Sequence, residues 1–249
     1  MNKALRREYF SAMGLETWEL RSRPGIPVAV PVVTPPMPTL PVDAAHAALA
    51  PHAAVAPTNA PREAGYDWAQ LRERVAACTR CGLAATRTQT VFGVGNLQAE
   101  WLVVGEAPGA EEDRAGEPFV GRAGQLLNSM LRAIGLARED VYIANVLKCR
   151  PPHNRDPLAI ETVECLPFLE QQIALLKPKI MLSVGRIAAQ KLLRTDVSLG
   201  RLRQKVHTFG ASRVPLVVTY HPAYLLRTPT DKRKAWEDLK FAREVFARV

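Results

Sequence analysis

The sequence predicts an α/β protein, a three-layer α/β/α arrangement around a central, mostly parallel four-stranded sheet. Two observations carry this. Four short apolar runs, at residues 100–104, 141–147, 180–184 and 214–219, have the length and composition of buried strands. Longer segments with helical spacing separate or follow them, at residues 123–134, 158–176, 186–193 and 232–249. A strand–helix alternation of this kind builds a parallel sheet with both faces covered, and right-handed crossovers put all the strand C-terminal ends on one edge.

The elements follow in order. Residues 2–23 form a possible N-terminal helix with apolar positions at Leu5, Tyr9, Met13, Leu15, Trp18 and Leu20. Residues 24–65 hold ten of the chain's 20 prolines among many alanines and valines. Such a stretch neither continues a helix nor fills a sheet, and it reads as an extended flexible linker. The N-terminal tail is expected to dock a protein partner, to pack back on the domain as a helix, or to have no separate role. Residues 66–249 form the globular domain. It opens with a helix-like segment at 68–77, directly followed by Cys78-Thr-Arg-Cys81. Cys149 closes the second apolar run and Cys165 lies in the next helix-like stretch. These four are all the cysteines of the chain, a full tetrahedral thiolate set that suits zinc or an iron–sulfur cluster.

The strand ends carry the chemistry. Gly105-Glu106-Ala107-Pro108-Gly109 follows the first run, with Glu111, Glu112, Asp113 and Phe119 beyond it. Asn145 and the segment from Lys148 to Arg155 close the second run, Gly185-Arg186 the third, and His221 to Arg227 the fourth. One edge therefore gathers carboxylates, an amide, an aromatic ring, histidines and arginines, the usual place for a ligand in an open α/β sheet. A solvated acidic loop is the plain alternative for residues 106–113. The net charge is +9, with 33 Lys and Arg against 24 Asp and Glu, and about +8 falls on the globular part. That balance favours a polyanion partner such as nucleic acid. No apolar run of membrane-spanning length occurs and no leader is evident, so no membrane contact and a cytoplasmic location are expected.

Five ordered pieces resemble the family 4 uracil-DNA glycosylases, the iron–sulfur branch of that superfamily. They are GEAPG from Gly105, PFVG-x-AG-x-LLN from Pro118, NVLKCRPP-x-NR from Asn145, SVG from Ser183 and HPAYLLR from His221. The resemblance implies the family's fold and an enzyme, a monofunctional glycosylase that flips uracil out of DNA and hydrolyses its glycosidic bond to start base-excision repair. It implies a 4Fe-4S cluster on Cys78, Cys81, Cys149 and Cys165, with zinc as the alternative. A monomer is expected.

The resemblance also assigns roles. Phe119 stacks on the flipped base, a contact of about 1–3 kcal/mol. Asn145 reads the uracil edge with its donor and acceptor. Gly105 and Ala107 line the pocket. His221 donates to the uracil oxygen as charge develops there. The best-known uracil glycosylases place an Asp where this chain has Ala107, so water positioning passes to Glu106, and Glu112 shapes the pocket against thymine's methyl group. Arg150, Arg155, Arg186 and Arg227 are expected to meet phosphates, and Leu225 or Leu226 to fill the vacated stack. The chain lacks the basic insert of a related trapping branch, which points to turnover. No lysine stands where it would form a Schiff base, so no strand nicking is expected. The rival readings are a non-catalytic DNA or uracil binder with the same cluster, and a zinc-stabilised nucleotide-binding protein.

Overall fold

The computed structural model describes residues 66–210 and 212–249. The expected helix at 2–23 and the linker at 24–65 lie outside the described residues.

Helix α1 (Trp68–Ala76) opens on a capping box. Asp67 Oδ1 accepts from the Gln70 N–H at 2.8 Å, and Gln70 Oε1 accepts from the Asp67 N–H at 3.1 Å. Both bonds satisfy donors that the first turn leaves open. The chain then runs β1 (Val94–Gly95), β2 (Trp101–Gly105), α2 (Ala110–Ala115), α3 (Arg122–Ala133), β3 (Val141–Asn145), α4 (Ala159–Leu176), β4 (Ile180–Val184) and α5 (Arg186–Leu193). It ends with α6 (Leu199–Leu202), β5 (His207–Phe209), β6 (Val214–Thr219), α7 (Pro222–Arg227) and α8 (Lys232–Phe246).

The sheet order is β1-β3-β2-β4-β6-β5. The four expected strands, β2, β3, β4 and β6, are its parallel centre. Two short strands extend the expected four: β1 pairs antiparallel with β3, and β5 with β6. Strands of two or three residues carry too little alternation to be read from sequence. The second apolar run extends past the end of β3. Val146 and Leu147 stay buried, but their N–H groups now bond the carbonyls of Gly105 and Glu106, each at 3.0 Å.

One face of the sheet (Val103, Ile143, Leu182, Val217) packs against Leu127 and Leu131 of α3 and Leu239 and Val245 of α8. The other face (Val104, Ala144, Met181, Val218) meets Leu169 and Ile173 of α4 and Ala188 and Leu192 of α5. Each fully buried aliphatic contributes about 1.5–3 kcal/mol, and the two apolar faces enforce the three layers. From β2 the chain moves to β3 on one side, and later from β4 to β6 on the other. Connections diverging in this way open a crevice at the carboxyl ends of β2 and β4. Among the described residues no helix is long and apolar enough to cross a membrane.

Candidate active site

Gly105 and Asn145 are register partners at the ends of β2 and β3. A Cβ at Gly105 would overlap Asn145 Oδ1 and lie 2.7 Å from Phe119 Cζ. The missing side chain is what lets an amide and an aromatic ring converge. Asn145 is 2% exposed, and its Oδ1 has no hydrogen-bond partner. A buried acceptor left unpaired costs about 1–3 kcal/mol, so it marks a place where a ligand's donor belongs.

Phe119 is 7% exposed and has φ of +56°, a left-handed conformation that a bulky residue rarely adopts. Its ring centroid lies 5.6 Å from that of His221, with 30° between the planes. Glu112 braces the same turn: Oε1 accepts from the Val120 and Gly121 N–H groups at 3.2 and 3.5 Å, and Oε2 from the Gly109 N–H at 3.1 Å. The carboxylate that the sequence assigned to pocket shape thus ties the start of α2 to the turn carrying Phe119.

His221 caps α7, its Nδ1 accepting from the Ala223 N–H at 3.1 Å. Nε2 must then carry the ring proton of the neutral imidazole. Burial, helped by Arg227 and opposed by Glu112, pushes the imidazolium down to about 4. At neutral pH His221 is therefore an uncharged N–H donor. Gly185 makes room for it: with φ of +103°, a Cβ there would lie 3.0 Å from His221 Cβ.

Glu106 follows β2 and is held through its carbonyl by the Leu147 N–H. Burial and then the Asp156 charge push its carboxyl up to about 7, with Arg186 and Lys191 pulling the other way. A carboxyl poised near neutrality suits a group that accepts a proton from water.

The arginines divide. Arg227 is exposed, and Arg150 Nε donates to Asn154 Oδ1 at 2.8 Å. Arg186, directly after β4, pairs with Asp156 at 3.1 Å. Arg155 donates from both Nη2 and Nη1 to the Glu161 carboxylate, at 2.5 and 2.8 Å, and so serves the loop before α4. The expectation for Leu225 is corrected. It is 1% exposed and packs into the core beneath α7, because a one-turn amphipathic helix must turn one of its two leucines inward. Leu226 keeps partial exposure.

Cys78, Cys81, Cys149 and Cys165 line one cavity together with Lys148, closed by Val75, Ala84 and Phe168. Ala107 packs against the same cluster. The Lys148 N–H donates to Cys165 Sγ and Arg87 Nη1 to Cys149 Sγ, both at 3.2 Å. Burial pushes the Cys165 thiol up to about 11 and raises Cys149 as well. A cation replacing the thiol protons would relieve that cost, so the donor set fits a metal centre. Among the described residues, no three His, Cys, Asp or Glu side chains converge as a single-ion site.

Sequence reasoning missed three groups. Asp156 is an acid in a loop, with only its neighbours' charge as a signal. Lys148 is 1% exposed, with Nζ bonded to the Asn145 carbonyl at 2.9 Å and Gln172 Oε1 at 2.6 Å. Its place inside the NVLKC stretch was the available clue. Arg138 precedes β3 and looks in sequence like any surface charge.

Residues 92–240 match the model of the uracil DNA glycosylase superfamily. A type-4 uracil-DNA glycosylase of Archaeoglobus fulgidus is 44% identical over 172 residues, 67% of this chain and 86% of the relative. The Pyrobaculum aerophilum and Thermotoga maritima proteins of the same name are each 43% identical, over 70% of this chain and 91% of their own lengths. A strand-end site around an unpaired amide, backed by four gathered cysteines, is thus found in a chain that belongs to the type-4 uracil-DNA glycosylases.

Proposed function

We propose that this protein removes uracil from DNA by hydrolysing the bond between N1 and C1′, leaving an abasic site for base-excision repair. The observation that carries this reading is Asn145 Oδ1, a buried acceptor without a donor, set against the Phe119 ring over a glycine floor. The uracil N3–H supplies the missing donor, and the Asn145 amide N–H meets the adjacent carbonyl. Cytosine presents a bare N3 to the same oxygen and leaves it unpaired, a penalty that rejects the wrong base.

The chemistry then follows from the chain's own groups. As the N1–C1′ bond breaks, its electrons pass to the base, and negative charge collects on the uracil oxygen beside His221. The neutral Nε2–H stabilises that oxyanion without surrendering its proton. The deoxyribose becomes cationic, and the Glu106 carboxylate stabilises it. Water attacks C1′ and gives a proton to Glu106, which returns it to solvent, and the departing uracil anion takes up a proton from solvent. Arg150, Arg186 and Arg227 meet the DNA phosphates from the same edge.

Cys78, Cys81, Cys149 and Cys165 would hold a 4Fe-4S cluster. The four sulfurs line one cavity, and two N–H groups already donate to them, as they would to the thiolates of such a centre. Such a group would tie α1 to α4 and to the loop after β3. Iron and sulfide analysis of the purified protein checks this, with zinc as the opposing result.

The deciding experiment incubates the protein with an oligonucleotide carrying one uracil, beside thymine and cytosine controls. Release of free uracil only is expected, with strand breaks appearing only after alkali. Tight binding without release would leave a binder in place of an enzyme.

A further inference from the structure

We propose that Arg138 is a positioning residue for the base pocket, a guanidinium clamp that holds Phe119 in its left-handed conformation. The inference rests on the reading of Phe119 as the stacking surface. Arg138 lies in the short 3₁₀ turn before β3, remote in sequence from the pocket loop. Its Nη2 donates to the Pro118 carbonyl at 2.7 Å, and Nη1 to the Phe119 carbonyl at 3.4 Å and Asn128 Oδ1 at 3.2 Å. None of these three oxygens belongs to a carboxylate. The Glu117 and Glu139 charges also act on the guanidinium, but its hydrogen bonds go to two carbonyls of the pocket loop and to the Asn128 amide, and bonds from a charged donor are about twice as strong as neutral ones.

The turn needs such a hold. A left-handed φ at Phe119 is strained, and strain of this kind persists only where the surroundings enforce it. Gly124 contributes on the other side: a Cβ there would overlap the Phe119 carbonyl, so α3 approaches the turn with nothing between. Asn128, one turn further along α3, fixes the guanidinium plane. Glu112 holds the N–H groups of the following residues. Arg138 thus completes a frame in which both the carbonyl and the amide sides of the turn are bonded, and the ring is aimed at Gly105 and His221.

The test compares Arg138→Ala, Arg138→Lys and Phe119→Ala in the full chain, by single-turnover uracil release well below each variant's melting temperature. Arg138→Ala is expected to slow about 10- to 100-fold, the scale of a misplacement near 1 Å. Added methylguanidinium should recover much of that loss while leaving the wild type and Phe119→Ala unchanged. Methylammonium should not, because one ammonium lacks the planar fork. Arg138→Lys should stay slow for the same reason, and it carries the comparison if the alanine variant fails to fold. A wild-type rate in folded Arg138→Ala or Arg138→Lys, with Phe119→Ala slow, overturns the clamp and leaves the stacking role intact. A wild-type rate in Phe119→Ala overturns the stacking role, and the clamp with it. A slow Arg138→Ala that methylguanidinium does not rescue makes Arg138 a general structural residue and ends the proposal.

Discussion

Replacing Glu106 by Gln should make the protein more stable and less active at once. The folded carboxyl is pushed up to about 7 from an ordinary value of 4.5. Between those values the unfolded chain has released its proton while the folded protein still holds one. Stability therefore falls as pH rises through this window, and the full loss stands above pH about 7. A gap of this size corresponds to about 3 kcal/mol. Part of the carboxyl meets solvent, so about 2 kcal/mol is the working figure after screening. Gln matches the protonated carboxyl in shape but cannot ionise. Glu106→Gln should thus equal the wild type near pH 4.5 and exceed it at pH about 8, by roughly 4–8 °C in apparent melting temperature for a domain of this size. Single-turnover uracil release should fall about 100-fold or more. The wild-type rate should rise with pH up to about 7 and then level, and that limb should vanish in the variant. Thermal scans at one fixed rate, at both pH values, give the stability result. Equal stabilisation at both pH values, or none at the higher one, would refute the burial argument. An unchanged cleavage rate would remove Glu106 from the mechanism.

Three further outcomes are expected. Gly105→Ala should abolish measurable uracil release, a loss of at least about 100-fold, because its Cβ would overlap Asn145 Oδ1 and crowd Phe119; binding to uracil-free DNA in a mobility-shift assay should persist. His221→Asn keeps a good helix cap for α7 but loses the Nε2–H donor, so cleavage should drop by about 100-fold. Because the folded His221 sits near 4 rather than 6.5, the unfolded wild type takes up a proton that the folded state refuses; the variant should gain on the wild type in denaturant midpoint as pH falls from 6.5 to 4. Asp238→Ala should cost about 3–5 kcal/mol in urea unfolding, since buried Asp238 accepts from Arg203 Nε at 2.6 Å, Gln204 Nε2 at 2.7 Å and Thr219 Oγ1 at 2.9 Å, and its loss leaves Arg203 without its carboxylate, held by the Lys234 carbonyl and the Tyr220 hydroxyl.

The four central strands were legible because each is a short, predominantly apolar run, and β4 and β6 match their expected bounds residue for residue. The site's outline was legible because parallel pairing forces every strand end onto one edge, and the motif residues sit at those ends. Other features depend on partners distant in the chain. Leu225 and Leu226 are indistinguishable in sequence, and only the direction of the core beneath α7 decides which is buried. Arg155 and Arg186 both read as phosphate contacts, yet Glu161 holds one of them inside its own loop. Arg138 carried no pattern at all, because its three oxygen partners lie in segments 10 to 20 residues away.

Residue order alone determined the layered α/β fold, the edge on which the chemistry gathers, and the four thiols available to a metal centre. These follow from periodicity and spacing, which are local properties of the chain. Only the tertiary structure decided that Asn145 Oδ1 is left without a donor, that burial makes His221 a neutral donor and brings Glu106 near neutrality, and that an arginine outside the motifs grips the Phe119 turn. Those are properties of enclosure: an unpaired atom or a displaced proton affinity exists only once packing has removed the water that would otherwise satisfy it.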